Sequence, residues 1–259
     1  MLPDITFFDA IAEAAAAETL PRFRMSVAVD NKLARGFDPV TEADQEAERA
    51  IRRVIGERYP DHGILGEEHG SVGLDRDYVW VIDPIDGTRA FISGLPVWGT
   101  LVGLYHKGRA VMGMMDQPFT GERFIAGPGS AIVRHNGKTL PLRTRTGVTL
   151  EHATMMTTSP SIFPEELDAS YKRIEKTVQL ARYGCDCYAY AMVASGHIDL
   201  VVEAGLKAYD VGGLIPLVEQ AGGVMTTWSG DRPENGGTIV ASGSPQLHEA
   251  ALEMLNRTG

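Results

Sequence analysis

The chain has 259 residues, 44% hydrophobic and 22% charged, and its 24 basic against 34 acidic side chains give a formal net charge of -10. That is a globular composition with enough chain to bury a core, which excludes a disordered tail, a collagenous repeat and a disulfide-built miniature domain. The acidic balance argues against sequence-independent nucleic-acid binding, which needs a basic face to displace phosphate counterions. A small phosphorylated substrate stays open, because bound metal ions reverse the local sign of a site.

Met1-Leu2-Pro3-Asp4 lacks the basic and apolar regions of a secretory signal. No apolar run approaches the ~18 residues of a spanning helix, so the reading is a soluble, cytoplasmic protein with no membrane partner. Asp4 to Leu20 are helix formers, with Phe8, Ala12 and Ala15 at helical spacing and Pro21 as a stop. Asp30, Asn31, Gly36 and Pro39 mark the stretch from Ala28 to Pro39 as a loop. A second helix starts at Thr41 as N-cap with Asp44 three residues on, carries the apolar stripe Ala47, Ala50, Ile51, Val54 and Ile55, and ends near Tyr59-Pro60. Ile64-Leu65 then leads into Glu67-Glu68, and Tyr78 to Ile82 reads as a buried strand that stops at Asp83-Pro84, since proline cannot donate to a ladder. Strand-like runs at Thr100–Tyr105, Arg109–Met115, Arg123–Ala126 and Ala131–Arg134, separated by polar turns, predict an antiparallel meander.

The polar stretch Arg143 to Thr149 is the expected seam between an N-terminal α+β half, residues 1–145, and a C-terminal α/β half, residues 146–259. Beyond it come a strand at Ala153–Thr157, helices at Glu165–Lys176 and Ala189–Ser195, and a strand at Ile198–Val202. A helix at Asp210–Gln220 follows, with a kink or late start expected at Pro216, then strands at Val224–Trp228 and Thr238–Ala241 and a helix at Pro245–Asn256. The two cysteines, Cys185 and Cys187, are too close for an ordinary structural disulfide and read as small apolar side chains in a reducing compartment.

The densest acidic constellation is Asp83-Pro84-Ile85-Asp86-Gly87-Thr88 at the end of the apolar strand. Two carboxylates there converge as the chain turns, Pro84 stiffens the turn and Gly87 allows close backbone approach to a ligand. Hard oxygen donors of this kind suit Mg2+, which shares its shell with substrate phosphate. By itself an Asp-x-x-Asp turn is more often a polar turn with an Asp cap. Glu67-Glu68 after Gly66, Asp210 before Gly212-Gly213, and Asp44 after Thr41 shift that balance, because four bland explanations would have to hold together.

Asp38-Pro39-Val40-Thr41-Glu42-Ala43-Asp44, Gly66-Glu67-Glu68, Asp83 through Thr88 and Tyr209-Asp210-Val211-Gly212-Gly213, in that order, resemble the motifs of the inositol monophosphatase superfamily over essentially the whole chain. Tyr209 and Gly212 depart from the family's usual Trp and Ala. The resemblance implies an α+β fold, a layered αβαβα sandwich of the inositol monophosphatase / fructose-1,6-bisphosphatase type, usually a homodimer, with two or three Mg2+ per site and Mn2+ as an alternative. It implies that Glu67, Asp83 and the Ile85 carbonyl hold one metal, that Asp83, Asp86 and Asp210 hold a second, and that Glu67 helps recruit a third through waters. Thr88 and Asp44 become the dyad that orients the attacking water, Thr41 positions Asp44, and the Gly87 and Thr88 amides cradle phosphate. Lys32 lies one residue off the family's usual spacing for a nearby lysine and stays unassigned.

Glu203, seven residues before Asp210, stands where the family places a substrate carboxylate, and Asp86 is expected to reach the substrate as well. Asp186, in Gly184-Cys185-Asp186-Cys187-Tyr188-Ala189-Tyr190, replaces a small neutral residue. A helix cap is the plainer reading of Asp186, and core packing the favoured reading of Tyr188, Tyr190 and Trp98. As a pocket residue, Asp186 beside Glu203 suits a cationic group. These residues, with Ser93 to Trp98 and Ile215-Pro216, look like the histidinol-phosphate phosphatase branch, implying hydrolysis of L-histidinol phosphate in histidine synthesis by direct attack of activated water. No haloacid-dehalogenase nucleophile motif or Cys-x5-Arg phosphatase loop appears. The alternatives are an inositol-1-monophosphatase or broad sugar-phosphate phosphatase and, in another class, a protein-binding regulator keeping the fold. A nucleotide bisphosphate phosphatase is disfavoured, because no clear basic cluster awaits a second phosphate.

Overall fold

The computed structural model describes residues 2–25, 29–31 and 39–257. The readings at Lys32 and Asp38, and most of the loop expected at 28–39, lie outside them, and its described parts, at 29–31 and 39, are strand rather than loop. Helix α1 (Phe7–Thr19) turns Phe8, Ile11, Ala12 and Ala15 inward. The short strands β1 (Val29–Asn31) and β2 (Pro39–Thr41) pair antiparallel and lead into α2 (Glu42–Arg58). Strands β3 (Gly63–Gly66), β4 (Gly70–Val72) and β5 (Tyr78–Asp86) follow, then the one-turn helix α3 (Thr88–Ile92). The predicted meander is β6 (Gly99–His106), β7 (Arg109–Gln117), β8 (Glu122–Gly127) and β9 (Ser130–His135), and β10 (Lys138–Pro141) extends it. These strands form one eight-stranded sheet, order β10-β9-β8-β7-β6-β5-β3-β4, antiparallel except for β3 beside β5.

After residues 142–149 the chain builds β11 (Thr154–Thr157), α4 (Glu165–Thr177), β12 (Leu180–Tyr183), α5 (Asp186–Ala194), β13 (Leu200–Leu206), α6 (Ala208–Gly212), α7 (Leu214–Gln220), β14 (Val224–Thr227), β15 (Gly237–Ser242) and α8 (Pro245–Asn256). Their sheet runs β12-β11-β13-β15-β14, with β11 parallel to both neighbours. Alternating side chains divide between the faces of each sheet. On the first, Val102, Leu104, Met112 and Met114 pack against α1 and α2. Leu101 and Met115 face the other way, toward α5, α7 and the Val201, Ile239 and Ala241 side of the second sheet. Val202 and Val240 turn to α4 and α8. The layers are therefore α, β, α, β, α, the sandwich expected. Among the described residues no helix is long and apolar enough to cross a membrane.

Three expectations need correction. Strand β5 does not stop at Asp83 but continues through Asp86, because a bulge accommodates Pro84 without requiring its missing N–H. The helix expected at Asp210–Gln220 is two helices that meet at Gly213, and Pro216 lies in the first turn of the second, where a missing N–H costs nothing. Helix α5 begins at Asp186 rather than Ala189, and β13 extends beyond Val202 to carry Glu203 within the strand.

Candidate metal centre and substrate pocket

Residues three apart on a regular strand point to opposite faces. Asp83 pairs with Leu101 and Asp86 with Gly99, so three steps on β5 match two on β6. The extra residue returns Asp86 to the side of Asp83. The Pro84 carbonyl accepts from Thr100 Oγ1 at 2.8 Å, and the Ile85 amide donates to Asp83 Oδ1 at 3.1 Å, which pins the bulge.

Asp210 arrives from the other half of the chain. Helix α6 lies directly on the first sheet, where a methyl on Gly103 would overlap the Gly212 carbonyl and one on Gly113 would overlap that of Gly213. Gly212, the residue that departs from the family's Ala, is itself part of this close backbone approach. Lys207 N donates to Asp210 Oδ2 at 2.6 Å and caps the helix. One carboxylate oxygen each from Asp83, Asp86 and Asp210 then lies within 4.8 Å of the others.

Glu67 leaves β3 with its amide donating to the Ile82 carbonyl at 3.1 Å. Its carboxyl lies close enough to that of Asp83 to oppose the ionisation of Asp83. Burial pushes Asp83 well above the usual carboxylate range, and the charges of Glu67, Asp86 and Asp210 push the same way. Asp86 is raised by burial, then by Asp186 and Asp210, although Cys187 N donates to its Oδ2 at 2.7 Å. Converging hard oxygens that repel one another and resist ionisation fit a small divalent cation such as Mg2+.

Asp44 is buried beside this cluster. Its Oδ2 accepts from Thr41 N at 2.8 Å and Thr41 Oγ1 at 2.6 Å, which is the predicted capping box. Its Oδ1 faces Thr88 Oγ1 at 3.3 Å, while the same hydroxyl lies 3.1 Å from the Ile85 carbonyl. Burial raises the Asp44 pKa against the Thr41 hydrogen bonds, and Glu67 adds to the rise. Gly87 has φ 84° and caps α3, and a Cβ there would press on the Asp186 carboxyl at 3.2 Å. Both facts call for glycine.

Adjoining the acidic cluster is a cavity of about 170 Å³ whose lining includes Asp86, Asp186, Tyr190, Glu203, Asp210 and Leu214. Asp186 is not the helix cap; Cys185 holds that position, and Asp186 is the first residue of α5 with φ 42°, in the left-handed region. Such a conformation is uncommon for Asp and carries backbone strain. Burial raises the Asp186 pKa and the Arg89 charge opposes it. Glu203 is 2% exposed and accepts from Thr158 N at 2.6 Å through Oε1. Its Oε2 has no hydrogen bond among the described residues, and burial lifts the carboxyl to about 8, with Thr158 and the Thr157 hydroxyl opposing the rise.

Every site residue read from the sequence thus lies at this one place, in two groups: Asp44, Glu67, Asp83, Ile85, Asp86, Gly87, Thr88 and Asp210 around the acidic cluster, and Asp186 and Glu203 in the adjoining cavity. Trp98 packs with Phe23 and Phe91 as expected, and half-buried Tyr188 donates to Glu122 Oε2 at 2.7 Å. Two charged residues escaped the sequence reading. Glu48, fully buried on α2, accepts from Glu68 N at 2.7 Å, His69 N at 3.2 Å and Arg52 Nε at 2.7 Å, and so holds the loop that carries Glu67. Its signal was an i,i+4 Glu–Arg pair on the inner stripe of a helix. Arg89 follows Thr88 and offsets Asp186, a pairing no local pattern announces.

The sequence model described as "Inositol monophosphatase family" matches residues 3–258. The chain belongs to the inositol monophosphatase family. As a family member it is a phosphatase, of a metal-dependent kind consistent with its acidic cluster. It is 42% identical over 258 residues to the bifunctional phosphatase IMPL2, chloroplastic, of Arabidopsis thaliana, covering 95% of this chain and 73% of that protein. It is 35% identical over 234 residues to the histidinol-phosphatase of Chlorobaculum parvum, covering 89% and 88%. A solved inositol monophosphatase from Zymomonas mobilis superposes with TM-score 0.86 at 38% identity, with 98% of each chain covered.

Proposed function

We propose that this inositol monophosphatase family member is a Mg2+-dependent phosphomonoesterase that hydrolyses L-histidinol phosphate to L-histidinol and phosphate. The observation that carries the substrate is the presence of two carboxyls, Asp186 and Glu203, in the same small cavity as Asp86 and Asp210. A leaving alcohol bearing an ammonium or imidazole group offers them the positive partner their burial demands. The cavity is far smaller than the ~300–1,000 Å³ of drug-sized pockets, which suits a compact leaving group.

Glu67, Asp83, Asp86, Asp210 and the Ile85 carbonyl would hold the metals. Once bound, Mg2+ supplies charge that offsets the phosphoryl oxygens and lowers the pKa of water. Thr88 orients that water. Its single hydroxyl hydrogen has two acceptors, and engagement of the Ile85 carbonyl elsewhere commits it to Asp44 Oδ1. The Thr88 oxygen is then free to accept the water's proton while its own passes to Asp44. Thr41 holds Asp44 by its other oxygen, so the carboxyl cannot swing away. The first amides of α3, at Gly87 and Thr88, have no intrahelical acceptor and would donate to the transferring phosphate.

Inositol 1-phosphate is the second reading, favoured by Arg89, whose charge reduces the net negative potential at Asp186. Purified protein with Mg2+ and a panel of histidinol phosphate, inositol 1-phosphate and sugar phosphates decides between them. We expect kcat/KM to be at least about tenfold higher for histidinol phosphate, the discrimination of one charge-assisted hydrogen bond. Equal or faster turnover of inositol 1-phosphate would remove the substrate while leaving the phosphatase.

A further inference from the structure

The Tyr190 ring packs in the core between α5 and α7, as its sequence pattern suggests, and the residue is only 3% exposed. Its hydroxyl does not share that comfort. The oxygen is buried with no hydrogen-bond partner among the described residues, and the side chain lines the cavity that holds Glu203 and Asp86. Burial holds the phenol well above its ordinary pKa, and the charge of Glu203 adds to the effect, so it enters the site as a neutral O–H. A buried, unsatisfied hydroxyl destabilises a fold in which phenylalanine would pack equally well. Groups of this kind in native structures require an explanation, and a ligand that uses them is one.

Glu203 Oε2 is the second buried oxygen in the cavity without a hydrogen bond. Two unsatisfied polar atoms facing one small space make a complementary site for a group that bonds to both. Resting on the substrate reading above, we propose that the Tyr190 hydroxyl and Glu203 Oε2 form a clamp for the nitrogen end of the leaving alcohol, with Tyr190 as a specificity residue. A primary ammonium donates one N–H to Glu203 Oε2 and a second to the Tyr190 oxygen. An uncharged polyol can fill the same space but offers no positive charge to hold Glu203 ionised.

The test is Tyr190→Phe in the full-length, Mg2+-loaded protein, assayed on histidinol phosphate and inositol 1-phosphate, with calorimetric binding of histidinol and thermal unfolding of the unliganded protein alongside. We expect KM for histidinol phosphate to rise about tenfold, the loss of one hydrogen bond to a charged group, with kcat changed much less. Histidinol affinity should weaken in proportion, and the ratio of kcat/KM for histidinol phosphate over inositol 1-phosphate should fall about tenfold. The unliganded variant should unfold at the same temperature or higher, since it loses an unsatisfied hydroxyl. An unchanged KM and histidinol affinity, an equal loss on both esters, or a lower unfolding temperature would each overturn the role of Tyr190. Wild-type preference for inositol 1-phosphate would overturn the substrate reading and this clamp together, and it is seen without the variant.

Discussion

At the metal end, Asp83, Asp86 and Asp210 crowd within 4.8 Å, and burial and mutual repulsion make the ionisation of Asp83 and Asp86 harder, whereas in the adjoining cavity Glu203 accepts one amide on Oε1 and, among the described residues, nothing on Oε2. The first arrangement stores repulsion that only a cation relieves. The second stores unsatisfied polarity that a hydrogen-bonding group relieves. The metal end is also built on a bulged strand and on backbone packed against backbone, so its geometry is set before anything binds. The other end rests on a left-handed Asp186 and a half-satisfied carboxyl. On the proposed reading, the difference teaches that the reaction is specified by backbone-built elements, and the substrate by side chains that a related chain could exchange without disturbing the fold.

Substitutions at four positions would break or sharpen that contrast. Asp83→Asn should have the largest effect, lowering turnover by more than about 100-fold, beyond what loss of an outer-shell partner costs. The same variant should make the metal-free protein more stable at pH 8, because a buried carboxyl pressed by three others is gone. Turnover with Mg2+ titration and urea melts report both. Thr88→Ala should reduce kcat about 100-fold with little change in KM, and Thr88→Ser should recover much of it, as expected for proton transfer through the hydroxyl. Gly103→Ala touches no substrate, yet its methyl must displace α6 at the Gly212 carbonyl. It should cost about 1–3 kcal/mol of stability, as overpacking does, and weaken Mg2+ binding in calorimetry by moving Asp210.

Glu203→Gln gives the clearest sign. The folded pKa of about 8 lies above the ordinary 4.5, so between those pH values the folded protein keeps a proton the unfolded chain has released. Its contribution to stability is therefore largest at low pH and is lost as pH rises toward 8, with a slope of about 1.4 kcal/mol per pH unit. Metal-free Glu203→Gln should show a flatter stability curve over that window. An unchanged slope would mean that Glu203 is ionised in the folded state.

Much of the metal end was legible in the sequence because its physics is local. Asp83 through Thr88 form strand, bulge and turn within six residues, and the Thr41–Asp44 capping box is a matter of three. What escaped was set by distant chain. Nothing near Glu48 tells that it accepts the amides of Glu68 and His69 some twenty residues on. Gly103 and Gly113 sat unremarked inside expected strands and Gly212-Gly213 inside a motif, and only the packing of α6 onto the sheet reveals them as contact surfaces. Tyr190 was legible as core by its pattern, but the pattern carries no information on whether its oxygen finds a partner. The edge strands β4, β10 and β12 went unread because they are short and mostly exposed, so no buried face imposes a period on them.

The most direct measurement is anomalous scattering from a crystal of the protein grown with Mn2+ in place of Mg2+. The predicted result is density among the carboxylates of Asp83, Asp86 and Asp210, with Glu67 beside it, and its loss in Asp83→Asn. Manganese bound elsewhere, or full phosphatase activity after exhaustive chelation, would contradict the metal centre from which the catalytic and substrate assignments both start.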